Sequence, residues 1–162
     1  MEVKQEVPNL IMDEDVKNSL VLSISENTIY HLSCAFYYLF KNDIVFLSKK
    51  HDIWLCKFNN ANRWKIINSD TIITLFNDHI SEQLSKLAIY YESSSTNANC
   101  PYMQAVNTIS GIKDNISYYS ETSIEELNEY FSIPDTAGFF SNYIQNDNII
   151  EITGQLFDKY LI

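Results

Sequence analysis

Glycine, proline and cysteine are scarce in this sequence, with three of each among 162 residues. So little glycine and proline excludes a low-complexity or disordered chain, and three glycines leave little material for a loop that cradles phosphate. Cys34, Cys56 and Cys100 are too few and too scattered for a disulfide framework. The cysteine usage therefore predicts a reducing, intracellular compartment.

Long apolar runs are also lacking. No stretch approaches the roughly 20 apolar residues of a membrane span, and residues 1–10 have no apolar core of a signal peptide. We therefore expect a cytoplasmic protein, in the host cytoplasm if it is viral, that does not contact a membrane. A hydrophobic fraction of 46% is sufficient for one well-packed domain at this length.

Basic residues are outnumbered, since 11 Lys and Arg stand against 21 Asp and Glu, giving a net charge of −10. A protein this acidic is repelled by phosphate backbones unless its basic residues are gathered on one face. The balance favours a basic protein partner, or a surface that imitates DNA. Asn and Ile are abundant, as AT-rich codon usage would produce, and this indicates a virus, a mobile element or an AT-rich microbe.

The apolar spacing predicts an α+β fold. Helical periodicity marks residues 26–40 and 69–91, and Phe76, Ile80 and Leu84 of the second helix are expected in the core. Residues 44–48 predict a strand, and residues 52–67 predict a hairpin that turns at an Asn-rich loop. Trp54 and Trp64 flank this loop and are expected to lie opposite each other on one face of the small antiparallel sheet.

Three regions are expected: an N-terminal arm (1–24), an α+β core module (25–119) and an acidic helical C-terminal subdomain (120–162). The arm is either a short helix followed by a strand or an ordered extended segment. A helix is predicted over residues 102–110, and another over 124–131 with Thr122 or Ser123 as its cap. Beyond it, the patterns predict helices over 137–145 and 153–161 and a strand over 148–152.

The candidate nucleic-acid contacts lie between residues 41 and 65, where six basic residues face two acidic ones, a local charge of +4. Cations interleaved with aromatic side chains on strands can hold phosphates and stack bases. The commoner structure for such a pattern is a half-buried hairpin with solvated lysines. The candidates are Lys49, Lys50, Lys57, Arg63, Lys65, Trp54 and Trp64.

Catalytic and metal-binding patterns are weak. His31 and Cys34 share a helix face, but zinc needs two further ligands, and His51 and Cys56 form no CxxC or HxxxH pair with them. His79, with Asp78 and Glu82 on the same helix, fits a solvated helix face better than an acid–base cluster. We therefore expect no metal, no cofactor and no enzymatic activity.

Acidic residues concentrate near the C-terminus, and Glu125, Glu126 and Glu129 are candidate contacts for a protein partner. Spaced along one helix, they would present either a DNA-like row of charge or, as in most helices of this kind, a solvated face. A protein partner is expected here, whereas nucleic acid is expected only at residues 41–65. The oligomeric state is left open.

Residues 29–91 resemble the segment ahead of the helicase in poxvirus- and phage-type primase–helicases. That segment has a helix, an Asp-containing turn, a strand, a Trp–turn–Trp hairpin and then a long helix. The matching residues are Leu32, Ala35, Tyr38 and Phe40 in the helix, Asn42, Asp43 and Phe46 in the turn and strand, Trp54, Asn59, Arg63 and Trp64 in the hairpin, and 70–91 in the long helix. The sequence contains no Walker A loop, so the resemblance implies a replication module without the ATPase.

These patterns together predict a noncatalytic interaction module of viral or mobile-element origin, associated with a complex that replicates or processes nucleic acid. The alternative is an acidic inhibitor or decoy that binds a host protein, for example by mimicking DNA. A continuous basic strip on the hairpin would favour the replication module. Surface acids at DNA-like spacing would favour the decoy.

Overall fold

The predicted α+β class is confirmed by a computed structural model, which describes residues 12–49, 52–57, 63–94, 101–132 and 151–153. Five helices accompany a small antiparallel sheet in the described residues. The elements in chain order are α1 (Glu14–Ser25), α2 (Thr28–Phe40), β1 (Ile44–Ser48), β2 (Ile53–Lys57), β3 (Arg63–Ile67), α3 (Ser69–Ser94), α4 (Pro101–Asp114), α5 (Ile116–Phe131) and β4 (Glu151–Thr153). None of these helices is both long and apolar enough to cross a lipid bilayer.

The sheet has the strand order β1-β2-β3-β4, with each neighbouring pair antiparallel. In the predicted hairpin, Trp54 of β2 is paired with Ile67, whereas Trp64 of β3 is paired with Lys57. The expectation that the two tryptophans lie opposite each other is therefore wrong. The two strands pair from Trp54–Ile67 to Lys57–Trp64. This register differs by three residues from the one that would place Trp54 opposite Trp64.

The first described helix, α1, occupies the segment where a strand was one of the expected structures. Asp13 caps it by accepting hydrogen bonds from the amides of Asp15 and Val16. Val16 and Leu20 are buried while Leu22 is exposed. A strand would place positions 20 and 22 on the same face, so only helical spacing separates them in this way. Residues 1–11 of the predicted arm lie outside the described part.

The core is built where α2, α3 and α5 converge on the sheet. The ring of Phe36 lies 4.8 Å from Phe40, 5.4 Å from Phe76 and 5.8 Å from Phe131, measured between centroids. The predicted burial of the α3 stripe is confirmed, because three of its residues are completely inaccessible to solvent: Phe76, Ile80 and Leu84. One aromatic cluster thus joins three helices that are far apart in sequence.

The C-terminal helix α5 starts earlier than predicted. Thr122 and Ser123 were expected to cap it, but both lie inside it, and their hydroxyls donate to the carbonyls of Tyr118 at 2.7 Å and Tyr119 at 2.6 Å. This is the back-bonding of Ser and Thr within helices, which competes with their capping role. The expected boundary between residues 119 and 120 therefore falls within one continuous helix.

Other boundaries shift as well. The helix predicted over 102–110 extends to Asp114 and passes through Gly111. The strand predicted over 148–152 is described as Glu151–Thr153, and it pairs with β3. The two helices predicted over 137–145 and 153–161 lie outside the described residues. Since Leu127 and Phe131 of α5 belong to the same core as α2 and α3, the described residues up to 132 pack as one unit.

Asp52 links the sheet to the start of α3. Its φ of 51° lies in the left-handed region, which is uncommon outside glycine. Its carboxylate accepts hydrogen bonds from the Ser69 amide at 3.1 Å and from the Ser69 hydroxyl at 2.7 Å. Asn68 accepts another from the Thr71 amide at 3.1 Å. Two side chains thus satisfy amides that the first turn of a helix otherwise leaves unpaired.

Replacing Asp52 with alanine should lower the free energy of unfolding by about 0.5–2 kcal/mol, the usual loss for a capping acceptor. Asp52→Asn, which keeps an acceptor oxygen and tolerates the left-handed region, should lose less. Urea denaturation of both variants measures the difference. Equal stability of Asp52→Ala and the unsubstituted protein would contradict the role assigned to this carboxylate.

Candidate functional site

An open cleft of about 320 Å³ lies between α2 and α5. We call it the tyrosine cleft, because four of the five side chains that line it are tyrosines: Tyr30, Cys34, Tyr37, Tyr38 and Tyr130. Tyr30 is 44% exposed and Tyr38 is 36% exposed. The cleft therefore presents the rings of Tyr30 and Tyr38 to solvent, while Tyr37 and Tyr130 also pack against the core.

The cleft exists because α2 carries two apolar faces. One face, with Leu32, Ala35 and Phe36, is buried in the core. The other places cleft residues at i, i+4, i+7 and i+8, a spacing that aligns side chains on one side of a helix. The α5 helix supplies the second wall through Tyr130, whose neighbour Phe131 is anchored in the core.

Ring contacts hold the walls of the cleft together. The Tyr37 ring lies 5.7 Å from Tyr38, 6.1 Å from Tyr130 and 5.4 Å from Phe131 between centroids. These separations fall in the range of favourable aromatic pairs. Because Phe131 also contacts Phe36, the orientation of the cleft rings is coupled to the packing of the core.

Cys34 lines the tyrosine cleft together with four tyrosines. The hydroxyls of Tyr30 and Tyr130 are positioned to donate hydrogen bonds to its sulfur. Burial is the largest influence on this thiol and raises its pKa above the ordinary value, although the two hydroxyls act in the opposite direction. A thiol with a raised pKa stays protonated at neutral pH, so Cys34 is not an activated nucleophile.

Cys34 should consequently react slowly with iodoacetamide at neutral pH, and the rate should rise as the pH passes above the ordinary thiol range. The reacting species is the thiolate, which a raised pKa makes scarcer at any given pH. Mass spectrometry of a Cys100→Ser variant follows the labelling site by site. Cys56 is an internal reference, since burial raises its pKa to about 11. Rapid alkylation of Cys34 at neutral pH would contradict this environment.

Glu126 lies one helical turn before Tyr130 on α5. Its charge is felt by Tyr30, Cys34 and Tyr130, whose pKa values it helps to raise. The pKa of Tyr130 reaches about 12, mainly because of burial, with Cys34 and Glu126 contributing. The Oε2 atom of Glu126 is buried and has no hydrogen-bond partner among the described residues. The charge of Glu126 therefore influences the cleft residues, although Glu126 does not line the cleft and its Oε2 atom is shielded from solvent.

The residues predicted to contact nucleic acid do not form one surface. Cross-strand partners share a face and successive residues alternate. Lys65 is paired with Cys56, and Lys57 is paired with Trp64, so the two lysines lie on opposite faces of the hairpin. Lys50 lies outside the described residues, and for Arg63 and Trp64 only the backbone is described.

Trp54 is not available for base stacking, contrary to its predicted role. It is completely buried, with Phe46 at 4.8 Å and Phe131 at 6.2 Å between ring centroids. The prediction was wrong because the aromatic residue of a hairpin faces inward when a helix covers that face. A helix does so here, since α5 brings Phe131 against the indole.

The predicted nucleic-acid and protein contacts meet at one point. Lys49 Nζ lies 3.2 Å from Glu125 Oε2, with both side chains more than 70% exposed. A surface ion pair of this kind contributes only about 0–1 kcal/mol to stability. It nevertheless pairs Lys49, a predicted nucleic-acid contact, with Glu125, a predicted protein contact. Glu129 is exposed on the same helix, whereas Glu126 is partly buried.

The histidines do not assemble a catalytic or metal site in the described part of the chain. His31 Nε2 lies 3.2 Å from Glu26 Oε2, and the His79 ring packs edge-on against Phe40 at 4.9 Å. Glu82 pairs with Lys86 at 3.7 Å rather than with His79. Among the described residues, no three His, Cys, Asp or Glu side chains are grouped closely enough to hold a metal ion.

Sequence reasoning missed the tyrosine cleft. Tyr30, Cys34 and Tyr38 recur at four-residue spacing, and this was the available signal of a second apolar face on α2. No local signal joins that face to Tyr130, since the two helices meet only through tertiary packing. Comparison of the chain with models of protein families, with curated proteins and with solved structures finds no match.

Proposed function

We propose that this chain is a noncatalytic interaction module, of viral or mobile-element origin, that binds a basic protein partner within a complex that replicates or processes nucleic acid. The observation that carries the proposal is the tyrosine cleft between α2 and α5. The cleft exposes aromatic side chains on a protein whose net charge is −10.

Tyrosine is suited to such a surface. It is enriched in protein interfaces and among the residues that carry most of the binding energy. Each ring buries a large area, and its hydroxyl can still form hydrogen bonds at the edge of the contact. Four tyrosines in one cleft thus supply an anchor for a partner side chain.

Charge supports a basic partner. The net charge of −10 attracts a cationic protein over a range set by the ionic strength. Glu121, Glu125 and Glu129 are exposed along α5, the helix that forms one wall of the cleft. These exposed carboxylates make α5 an acidic helix, which suits contact with a basic partner.

A noncatalytic role is supported by the chemistry of the cleft itself. Its one thiol, Cys34, has a pKa that burial raises above the ordinary value, so it stays protonated at neutral pH. His79, the histidine considered for acid–base chemistry, packs against Phe40 in another part of the fold. The groups in the cleft are therefore suited to binding rather than to proton or acyl transfer.

The setting in nucleic-acid replication comes from the resemblance of residues 29–91 to the segment ahead of the helicase in primase–helicases. Lys57 and Lys65 lie on opposite faces of the hairpin, so a single strand of nucleic acid would contact one of them and not the other. We therefore place the protein partner at the tyrosine cleft and assign it the main contact. Direct contact with nucleic acid through residues 41–65 is secondary in this proposal.

A decoy that mimics DNA is the second candidate, favoured by the exposed acids of α5. Residues four apart on a helix are separated by about 6 Å along its axis. Duplex DNA carries one charge per roughly 1.7 Å of its axis. A single row of glutamates therefore has a lower charge density than DNA, and this favours the cleft as the main contact.

The proposal is tested by affinity capture from the cells in which the chain is naturally made, with nuclease treatment to remove contacts bridged by nucleic acid. The unsubstituted chain is compared with a Tyr30→Ser/Tyr38→Ser double variant. Tyr118→Ser is the matched control, because Tyr118 is a 60% exposed tyrosine of α5 that does not line the cleft.

We expect a basic protein that survives nuclease treatment, is lost with the double variant and is retained with the control. Thermal unfolding of each variant verifies that all three remain folded. Capture of the same partner by the double variant would contradict the proposed site. Loss of the partner on nuclease treatment would favour a bridging nucleic acid instead.

A further inference from the structure

We infer that the outer face of the sheet is a docking surface for residues 133–150 of the same chain, and that it is therefore not a platform for nucleic acid. The outer sheet face is the surface formed by the cross-strand row Val45, Leu55 and Ile66. Residues 133–150 lie outside the described part of the chain, and the elements at their two ends bear on where they pass. The inference does not depend on the tyrosine cleft, which lies between α2 and α5.

Both faces of the sheet are apolar. Successive residues of a strand point to opposite faces, and cross-strand partners share one face. Trp54 and Cys56 of β2 belong to the core that the helices form. Leu55 lies between them and points the other way, in one row with Val45 and Ile66. An antiparallel sheet with one solvated face would alternate apolar and polar residues instead.

The outer sheet face is covered within the single chain. Leu55 is completely inaccessible to solvent, and Val45 is only 6% exposed. Neither belongs to the described core around α1 to α5, in which the buried residues of the sheet are Ile44, Trp54 and Cys56. A sheet buries an apolar face by packing it against another layer, so a further part of the chain lies over this row.

The two ends of residues 133–150 lie at opposite edges of the sheet. Ser132 forms a parallel bridge with Phe46 of β1, and the other side of β1 is occupied by β2. Glu151 begins β4, which pairs with β3 at the far edge. The connection between these two points therefore passes from one edge of the sheet to the other.

The outer face is the route that the fold leaves open for this connection. The inner face is occupied by α5, where Phe131 packs against Trp54. From Ser132 to β4 there are four strand intervals, and at about 4.8 Å each they span roughly 19 Å. Residues 133–150 can cross that distance and still contain a short helix, which rises about 1.5 Å per residue.

The sequence of residues 133–150 suits an apolar docking surface. Over the helix predicted at 137–145, large apolar side chains recur at positions i, i+1, i+4 and i+5: Phe139, Phe140, Tyr143 and Ile144. This spacing places the four side chains on one side of a helix. The segment has no Lys or Arg, so apolar contact is its main means of binding the sheet.

Nucleic acid and a second copy of the chain are the other occupants to consider. A single strand binds where exposed aromatic rings stack its bases and cations hold its phosphates. The row Val45, Leu55 and Ile66 has neither group. A second copy is not needed to cover this row, since Leu55 is already inaccessible in the single chain.

Methyl NMR of the full chain tests the docking. Val and Leu methyl groups are labelled with ¹³C, and nuclear Overhauser contacts to aromatic rings are measured. We expect contacts from the methyls of Val45 and Leu55 to rings within residues 137–145. Replacing each ring residue of that range with isoleucine identifies the signals: Phe139, Phe140 and Tyr143. The exposed Leu22 of α1 is the negative control and should show no such contact.

The matched variants are Phe139→Ser/Phe140→Ser and Asn142→Ser, which change apolar and polar positions of the same segment. The double variant should shift the methyl signals of Val45 and Leu55 and leave those of Leu84, in the helix-packed core, in place. It should also unfold at a lower temperature than the Asn142→Ser control, which should shift neither set of signals. If the double variant fails to fold, the contacts in the unsubstituted chain still decide.

Three results would overturn the inference. The first is a lack of contacts between the Val45 and Leu55 methyls and residues 133–150 in the unsubstituted chain. The second is contacts that arise only between molecules in a mixture of labelled and unlabelled chains, which would indicate a second copy. The third is a shift of the same two signals on addition of single-stranded oligothymidylate, because a face covered by its own chain does not bind a nucleic acid.

Discussion

The Phe76→Ala variant is expected to lose about 3–5 kcal/mol of unfolding free energy, the range measured for large aromatic truncations in well-packed cores. Phe76 is completely buried in the N-terminal half of α3, and its ring lies 5.4 Å from that of Phe36. Truncation removes the buried ring and leaves a cavity where α2 and α3 meet. Urea denaturation followed by circular dichroism measures the loss.

Ile89→Ala is the control for this variant. Ile89 belongs to the same helix but is 51% exposed, so its truncation should change stability by less than about 0.5 kcal/mol. A loss below about 1 kcal/mol for Phe76→Ala would mean that the core relaxes around the cavity far more than interiors of native density normally do. Such a result would also contradict the conclusion that α3 is the main buried helix of the fold.

Trp54→Ala is expected to be similarly costly, at about 3–5 kcal/mol. The indole is fully buried between Phe46 of β1 and Phe131 of α5, so it connects the sheet to the helix that forms one wall of the cleft. Urea denaturation again measures the change. Trp54→Phe should lose less, because it keeps an aromatic ring and removes an indole N–H that is buried without a hydrogen-bond partner in the described structure.

The same variants distinguish core packing from nucleic-acid contact. If Trp54 acts only in the core, Trp54→Phe should bind labelled single-stranded DNA as the unsubstituted chain does, at both low and physiological salt. A stable Trp54→Ala protein with reduced DNA binding would restore the base-stacking role. Such a result would require the indole to leave the position that it occupies between the two phenylalanine rings.

The elements that could be predicted from the sequence are those defined by local periodicity. The α3 stripe through Phe76, Ile80 and Leu84 repeats at helical spacing, and no competing pattern interrupts it. The hairpin of β2 and β3 follows from two β-rich runs around an Asn-rich turn. In both cases the residues that determine the structure lie within one segment, so a sequence window contains the necessary information.

The elements that were mispredicted depend on contacts between distant segments. Leu20 and Leu22 fit either a strand or a helix, and the packing of α1 against α2 decides between them. Thr122 and Ser123 are good capping residues, but the apolar spacing from Ile116 to Phe131 extends α5 past them. The burial of Trp54 likewise requires Phe131, which is 77 positions later in the sequence.

The tyrosine cleft also depends on contacts between distant segments of the chain. Its α2 face is visible as a four-residue repeat, but whether that face is covered or exposed depends on where α5 packs. The carboxylate of Glu126 was considered as part of an acidic run, whereas its distinguishing property is the buried Oε2 atom without a donor. Such a property arises from three-dimensional packing and has no counterpart in composition or charge pattern.

Photo-cross-linking from position 38 tests most directly whether the tyrosine cleft is the partner-binding surface. Benzoylphenylalanine replaces Tyr38 in one variant and Tyr118 in another, and both are irradiated in the cells in which the chain is made. The predicted result is a specific adduct with a basic protein from position 38 and not from position 118. Equal adducts from both positions, or an adduct from position 118 alone, would contradict the cleft as the binding site.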